Sequence, residues 1–218
     1  MVAAGAAAES LLAALLGDDA AKRAAAVANA DAHQADMDRF FANGRPKVKS
    51  LKPSNVTPRT LPGHEPVPLF QVITDRPPQR GALLGLIPQA DGGFLVNWPL
   101  FVETSDGRLA RFLETKPEEP AWFYVVMRRS HGLDLPETVR ASHFCADLQS
   151  SADGEVRCIA AAALETPLGR FLDREAGWGG VHVARLLLQH RRLGEAEAVV
   201  VLDCEGAVTG TTTPSGSP

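Results

Sequence analysis

The chain has 218 residues, of which 45% are hydrophobic and 22% are charged, and this composition is typical of a folded globular protein. Its formal net charge is −4, so the positive charge that draws a protein to nucleic acid or to an anionic membrane is lacking. Arg45, Lys47, Lys49 and Lys52 form a small basic cluster, but no aromatic residues interleave with it, and we expect no nucleic-acid partner.

The first 44 residues predict three helices, because alanine, the best helix former, dominates them. Residues 17–19 (Gly-Asp-Asp) separate the first helix from the second, and Asn29 is placed to cap the third. No Lys or Arg precedes Lys22, and Glu9 interrupts the short apolar run, so neither a secretion signal nor a membrane span is predicted. We therefore expect a soluble chain that is cytoplasmic by default.

A proline-rich stretch, 45–68, follows and predicts an extended connection, with an edge strand as one option. Short apolar runs bounded by turn residues then predict three strands, at 69–74, 82–88 and 93–97. The turn Ala-Asp-Gly-Gly at 90–93 favours a hairpin between the last two strands.

Apolar residues at helical spacing from Trp98 to Leu113 predict two short helices, with Ser105 as the cap of the second. The segment 116–120 carries two prolines and is the best candidate for a boundary within the chain. Beyond it the sequence predicts five strands and one short helix. The strands are placed at 121–129, 139–148, 155–163, 181–190 and 196–204, and the helix at 164–173.

Helices followed by strands predict an α+β fold, in which N-terminal helices pack on a curved, mostly antiparallel sheet that precedes a small β-rich module with one short helix. The first domain is predicted at 1–117 and the β-rich module at 118–208. The small polar residues of 209–218 predict a disordered tail.

The usual catalytic signatures are missing from the sequence: the nucleotide-binding glycine loops, the serine nucleophile elbow and the zinc-protease motif. His143, Cys145, Cys158 and His182 could form a tetrahedral zinc site on neighbouring strands, but their spacing does not require one. We expect neither metal nor cofactor. Together with Cys204, the cysteines are expected to be buried thiols, and one disulfide plus a free thiol is the alternative.

Aromatic residues of the first half suggest a second candidate site, since a curved sheet wrapped on helices can enclose a cavity. The candidates for its lining are Phe40, Phe70, Phe94, Trp98 and Phe101. The candidates for polar groups inside it are Asp31, His33 and Tyr124. We expect the aromatic residues to fill a core rather than to surround a ligand.

Several short segments give the chain a resemblance to a group of uncharacterised bacterial proteins. These segments are 27–31 (VANAD), 37–41 (MDRFF), 93–102 (GFLVNWPLFV), 111–113 (RFL) and 122–126 (WFYVV). The resemblance implies a nuclear transport factor 2-like (cystatin-like) first half and a small β-rich second module. It implies no catalytic residues, and the chain departs from the group in carrying Asn97 where an Asp is usual and in having no apolar N-terminal anchor.

Without a convergent set of acids, bases or metal ligands, the sequence favours a non-catalytic binding or scaffold protein. A small-molecule enzyme of the isomerase or dehydratase type, using a cone-shaped cavity, is one alternative. A self-associating structural module is another. A protein partner or a second copy of the chain is expected in preference to a small molecule.

Overall fold

The computed structural model describes residues 2–42, 44–54, 67–76, 81–150 and 158–205 of the chain. The predicted tail at 209–218, the end of the predicted β-rich module and residues 155–157 of a predicted strand lie outside these residues. The described residues form an α+β fold with helices at the N-terminus and a β-rich C-terminal region. In this part of the chain no helix is both long and apolar enough to cross a membrane.

Three helices open the chain: α1 (Val2–Leu16), α2 (Ala20–Ala26) and α3 (Ala30–Ala42). The side chain of Asp19 caps α2 by accepting a hydrogen bond from the Ala21 amide at 2.9 Å. Asn29 stands immediately before α3 with φ at 52°, a left-handed conformation that asparagine tolerates better than most residues. The cap at Asp19 therefore fixes the start of α2, and the turn at Asn29 leads into α3.

The first half contains a four-stranded antiparallel sheet with strand order β1-β2-β3-β4. Its strands are β1 (Val48–Pro53), β2 (Leu69–Thr74), β3 (Ala82–Pro88) and β4 (Phe94–Val96). β1 is an edge strand within the proline-rich stretch, and most of its residues are exposed. Side chains from α1, α3, β2, β3 and α4 form the apolar core of this half.

Two helices follow the sheet: α4 (Trp98–Ser105) and α5 (Arg108–Thr115). The prediction that Ser105 caps the second of them is wrong, because Ser105 is the last residue of α4 and its Oγ donates to the Val102 carbonyl at 3.1 Å. Asp106 instead accepts a hydrogen bond from the Arg108 amide at 3.0 Å.

The second half is a mixed sheet of five strands that closes into a barrel in the order β5-β6-β7-β9-β8. Its strands are β5 (Ala121–Arg129), β6 (His143–Gln149), β7 (Cys158–Ala163), β8 (Val181–Leu193) and β9 (Ala196–Cys204). β7 pairs with β9 in parallel, and the other neighbouring strands pair in antiparallel fashion.

Two helices accompany the barrel: α6 (Glu137–Ser142) and α7 (Pro167–Glu175). The prediction of a single helix in this module is therefore wrong, and so is the strand predicted to begin at residue 139. The Pro136 carbonyl accepts hydrogen bonds from the Val139 and Arg140 amides, both at 3.0 Å, and so starts a helical turn before β6.

Helix α5 packs on the barrel although it precedes the predicted boundary at 117/118. Leu109 and Phe112 belong to the apolar core of the barrel, and the rings of Phe112 and Phe123 lie 4.9 Å apart. Helix α4 thus contributes to the apolar core of the first half, whereas α5 contributes to the apolar core of the barrel.

Candidate functional site

An open cleft of about 680 Å³ lies where the first half meets the barrel. Its volume falls within the range of about 300–1,000 Å³ that is typical of small-molecule sites. The polar residues that line it are Asn29, Asp31, His33, Asn97, Tyr124, Arg185 and Glu205. The other lining residues are Ala28, Ala30, Ala32, Ile87, Trp98 and Pro99.

The starts of helices α3 and α4 form one wall of the cleft, and a short backbone contact holds them together. Val27 forms an isolated parallel bridge with Val96 of β4, and the Ala28 amide donates to the Val96 carbonyl at 3.1 Å. Val27 and Val96 are both buried. The turn before α3 is therefore fixed beside Asn97, the residue that precedes α4.

Asn97 links this wall to the barrel. Its side-chain oxygen caps α4 by accepting from the Leu100 amide at 3.1 Å. Its Nδ2 donates to the hydroxyl oxygen of Tyr124 on β5 at 3.2 Å. Because this hydroxyl accepts from Asn97, its own proton is left to donate toward a ligand.

The Tyr124 hydroxyl is a hydrogen-bond donor at neutral pH. Burial raises the pKa of Tyr124 above its ordinary value of 10.0, and the negative charges of Glu205 and Glu103 add to the rise. The hydrogen bond from Asn97 and the charge of Arg185 oppose it. The phenol therefore stays protonated across the physiological range and cannot serve there as a base.

An ion pair beneath the cleft joins the two halves. Glu103 of α4, whose side chain is only 4% exposed, accepts from Arg185 Nη2 at 2.8 Å and from Arg185 Nε at 3.2 Å. Its other oxygen accepts from the Tyr124 amide at 2.7 Å. Burial raises the pKa of Glu103, and the hydrogen bond and charge of Arg185 oppose that rise.

The Arg185 guanidinium is oriented by three further contacts. Its central carbon lies 5.6 Å from the centre of the Trp122 ring and 5.7 Å from that of the Tyr124 ring, distances at which a cation is attracted to an aromatic face. Its Nη1 lies 3.4 Å from a carboxylate oxygen of Glu205. Arg185 thus has one side on the buried Glu103 and another at the cleft.

Of the residues that the sequence proposed for a cavity, Asp31, His33, Trp98 and Tyr124 line the cleft. The remaining four, Phe40, Phe70, Phe94 and Phe101, lie in the apolar core of the first half or pack against it.

An aromatic cluster lies in the first half, where the sequence offers a ligand cavity as the alternative to a filled core. The rings of Phe40 and Trp98 lie 5.4 Å apart, and those of Trp98 and Phe101 lie 6.1 Å apart. The Trp98 indole nitrogen donates to Asp36 at 3.0 Å. The cleft itself lies between the first half and the barrel, beside this cluster.

Sequence reasoning missed Asn97, Glu103, Arg185 and Glu205 as members of the site. Asn97 could have been found, because an asparagine before Trp-Pro at a predicted helix start is a capping signal. Glu103 and Arg185 carry no such signal. They are 82 residues apart in the sequence and come into contact only in the folded chain.

The cysteines are free thiols, and the residues considered for zinc lie apart. In the register of β6 and β7, Cys145 faces Ala161 and Cys158 faces Leu148, and His182 is on β8, which pairs with β5 and β9. Throughout the described ranges, no group of three or more His, Cys, Asp or Glu side chains could hold a metal ion.

Comparisons of the chain with protein-family models, with curated proteins and with solved structures found no match.

Proposed function

We propose that this chain is a non-catalytic binding protein and that the cleft between the first half and the barrel is its binding site. The observation that carries the proposal is the convergence on one cleft of polar side chains from both halves: Asn97 at the start of α4, Tyr124 and Arg185 on the barrel, and Asp31 and His33 on α3.

The lining suits a small organic molecule. Apolar side chains such as Ile87 and Pro99 offer contact area, and a few fixed polar groups set the orientation of a ligand. Tyr124 is one such group, because Asn97 holds its hydroxyl from one side. A small molecule, rather than the protein partner that the sequence favoured, is therefore the occupant that we propose.

The arrangement supports binding better than catalysis. Asp31 and His33 are two residues apart on α3, so their side chains do not face each other as an acid–base pair would. Tyr124 offers no base at neutral pH, since its ordinary pKa of 10.0 is raised further by burial. Arg185 is held by a buried carboxylate. The isomerase or dehydratase alternative is the less supported of the two.

A second proposal concerns ancestry. From the short segments that resemble a group of uncharacterised bacterial proteins, we infer that the first half of this chain shares their nuclear transport factor 2-like fold. Its three opening helices and antiparallel sheet support this relationship. The binding proposal does not depend on it.

Blocking the cleft with a bulky side chain tests the proposed function. Ala32 is an exposed residue of α3 that lines the cleft, and Ala35 is an exposed residue of the same helix outside the lining. Ala32→Trp and Ala35→Trp form a matched pair. A library of small acids, bases and neutral molecules would be screened against wild type by thermal shift and ligand-detected NMR.

We expect hits that bind the wild type and the Ala35→Trp variant alike and bind the Ala32→Trp variant at least about tenfold more weakly, a loss of about 1.4 kcal/mol. Hits that bind both variants equally, or a screen without hits, would refute the proposed function. Circular dichroism of both variants checks that each remains folded.

A further inference from the structure

The Arg185 guanidinium makes close hydrogen bonds to a carboxylate on its buried side and only one long contact to a carboxylate on its cleft side. Its Nη2 lies 2.8 Å from the buried Glu103 carboxylate, whereas its Nη1 lies 3.4 Å from that of Glu205. The side chain of Glu205 is 52% exposed. An ion pair of this length and exposure contributes little stability, so an incoming group can replace Glu205 at small cost.

Glu205 shows which chemistry fits the outer side of Arg185. The residue lines the cleft, and its backbone is anchored by a hydrogen bond from its amide to the Arg185 carbonyl at 2.9 Å. The chain's own carboxylate therefore lies in the cleft against Nη1. The Glu205 side chain therefore occupies the position that a ligand carboxylate would take, and it does so through a long, exposed contact.

A second donor lines the same cleft. The guanidinium carbon of Arg185 is 5.7 Å from the centre of the Tyr124 ring, and the Tyr124 hydroxyl accepts from Asn97 at 3.2 Å, which leaves its proton to donate. A guanidinium and a phenol that act together are donors suited to the two oxygens of a carboxylate.

We propose that the cleft selects small organic molecules bearing a carboxylate, which binds Arg185 Nη1 and the Tyr124 hydroxyl and displaces the side chain of Glu205. This inference rests on the proposed function, since it names the class of ligand for the same cleft. Asp31 and Glu205 are acidic groups of the same lining, so preference for a cationic ligand is the competing result.

Three probes of nearly equal size and different charge distinguish a preference for carboxylates from a preference for cations. They are phenylacetate, phenylacetamide and phenethylamine. Affinity would be measured by isothermal titration calorimetry for the wild type, Glu205→Gln and Glu195→Gln. Glu195 is an exposed residue in the turn between β8 and β9, so its variant matches the change in net charge without touching the cleft.

We expect phenylacetate to bind the wild type most tightly of the three. The Glu205→Gln variant should bind it about threefold more tightly, because the competing carboxylate is removed, and Glu195→Gln should leave its affinity unchanged. Arg185→Lys keeps the charge that pairs with Glu103 and loses the planar fork, so it should weaken phenylacetate binding about tenfold.

Tightest binding of phenethylamine, with an affinity that falls in Glu205→Gln, would overturn the carboxylate preference and leave the cleft as a binding site. Phenylacetate binding that Glu205→Gln does not strengthen would also overturn it. The proposed function fails separately, if Ala32→Trp changes the binding of none of the three probes.

Discussion

Glu103 on α4 and Arg185 on β8 form a buried ion pair at 2.8 Å that ties the first half of the chain to the barrel. The same two residues also belong to the surroundings of the cleft, because Arg185 lines it and Glu103 accepts from the amide of Tyr124, another lining residue. The stability of the junction and the shape of the cleft therefore depend on one set of contacts.

Removal of Arg185 should destabilise the fold strongly at neutral pH. Arg185→Met leaves the charge of Glu103 buried without a partner, and we expect a loss of about 3–5 kcal/mol in the free energy of unfolding. The double variant Glu103→Gln/Arg185→Met should recover most of this loss. Urea unfolding at neutral pH measures both variants.

The matched control for this prediction is Arg192→Met, on the exposed end of the same strand, which should change stability by about 0.5 kcal/mol or less. Equal effects of the two arginine substitutions would contradict a buried ion pair at the junction.

The pKa of Glu103 makes a signed prediction for the pH dependence of stability. In the folded chain this pKa is raised above the ordinary 4.5, first by burial, so the folded state holds the proton more tightly than the unfolded state. The stability that Glu103 contributes is thus fully present below pH 4.5 and is lost as pH rises through the raised folded-state pKa.

The measurement is the difference in free energy of unfolding between wild type and Glu103→Gln across the acidic and neutral range. We expect wild type to lose stability relative to Glu103→Gln as pH rises, since the variant cannot ionise. A difference that moves in the opposite direction would show that the charge of Arg185 outweighs the burial of Glu103.

Tyr124 is the single tyrosine of the chain, so the ultraviolet absorbance of the phenolate reports on this residue alone. We expect its titration midpoint to lie above 10.0, because burial raises the pKa of Tyr124 and the charge of Glu205 adds to the rise. Glu205→Gln should lower the midpoint, and Glu195→Gln should leave it unchanged. A midpoint insensitive to Glu205→Gln would remove Glu205 from the surroundings of the hydroxyl.

Asp36 holds the aromatic cluster that supports one side of the cleft. Its carboxylate accepts from the fully buried Trp98 indole at 3.0 Å and from Arg108 at 3.0 Å. Asp36→Ala leaves the indole nitrogen without its acceptor and should cost about 1–3 kcal/mol. Asp38→Ala, on the exposed side of the same helix, should cost about 0.5 kcal/mol or less by chemical denaturation. Equal costs would mean that the indole contact contributes nothing to stability.

The elements that the sequence predicts best are those with local signals. The strands at 69–74 and 82–88 are confirmed residue for residue, because turn residues bound each apolar run. The ends of the N-terminal helices follow from Asp19 and from the turn at Asn29. By contrast, residues 139–142 are predicted as the start of a strand but belong to α6, since the apolar residues Val139 and Ala141 alternate directly into β6.

The site was harder to predict because its members come together only through tertiary contacts. Asp31, His33 and Tyr124 were identified from their residue types, but they meet in one cleft through contacts between distant segments, such as the bridge from Val27 to Val96 and the hydrogen bond from Asn97 to Tyr124. Arg185 reads in the sequence as an ordinary outward residue of an alternating strand. Its role follows from Glu103, which belongs to the other half of the chain.

The most direct test of the account is a map of ligand-induced amide shifts for the full chain in a heteronuclear NMR titration with phenylacetate. We expect the shifts to cluster at residues 28–33 of the α3 wall, at Asn97 and Tyr124, and at Arg185 and Glu205 on the barrel. Shifts that cluster elsewhere, such as around the exposed Trp178, would contradict the assignment of the cleft as the binding site.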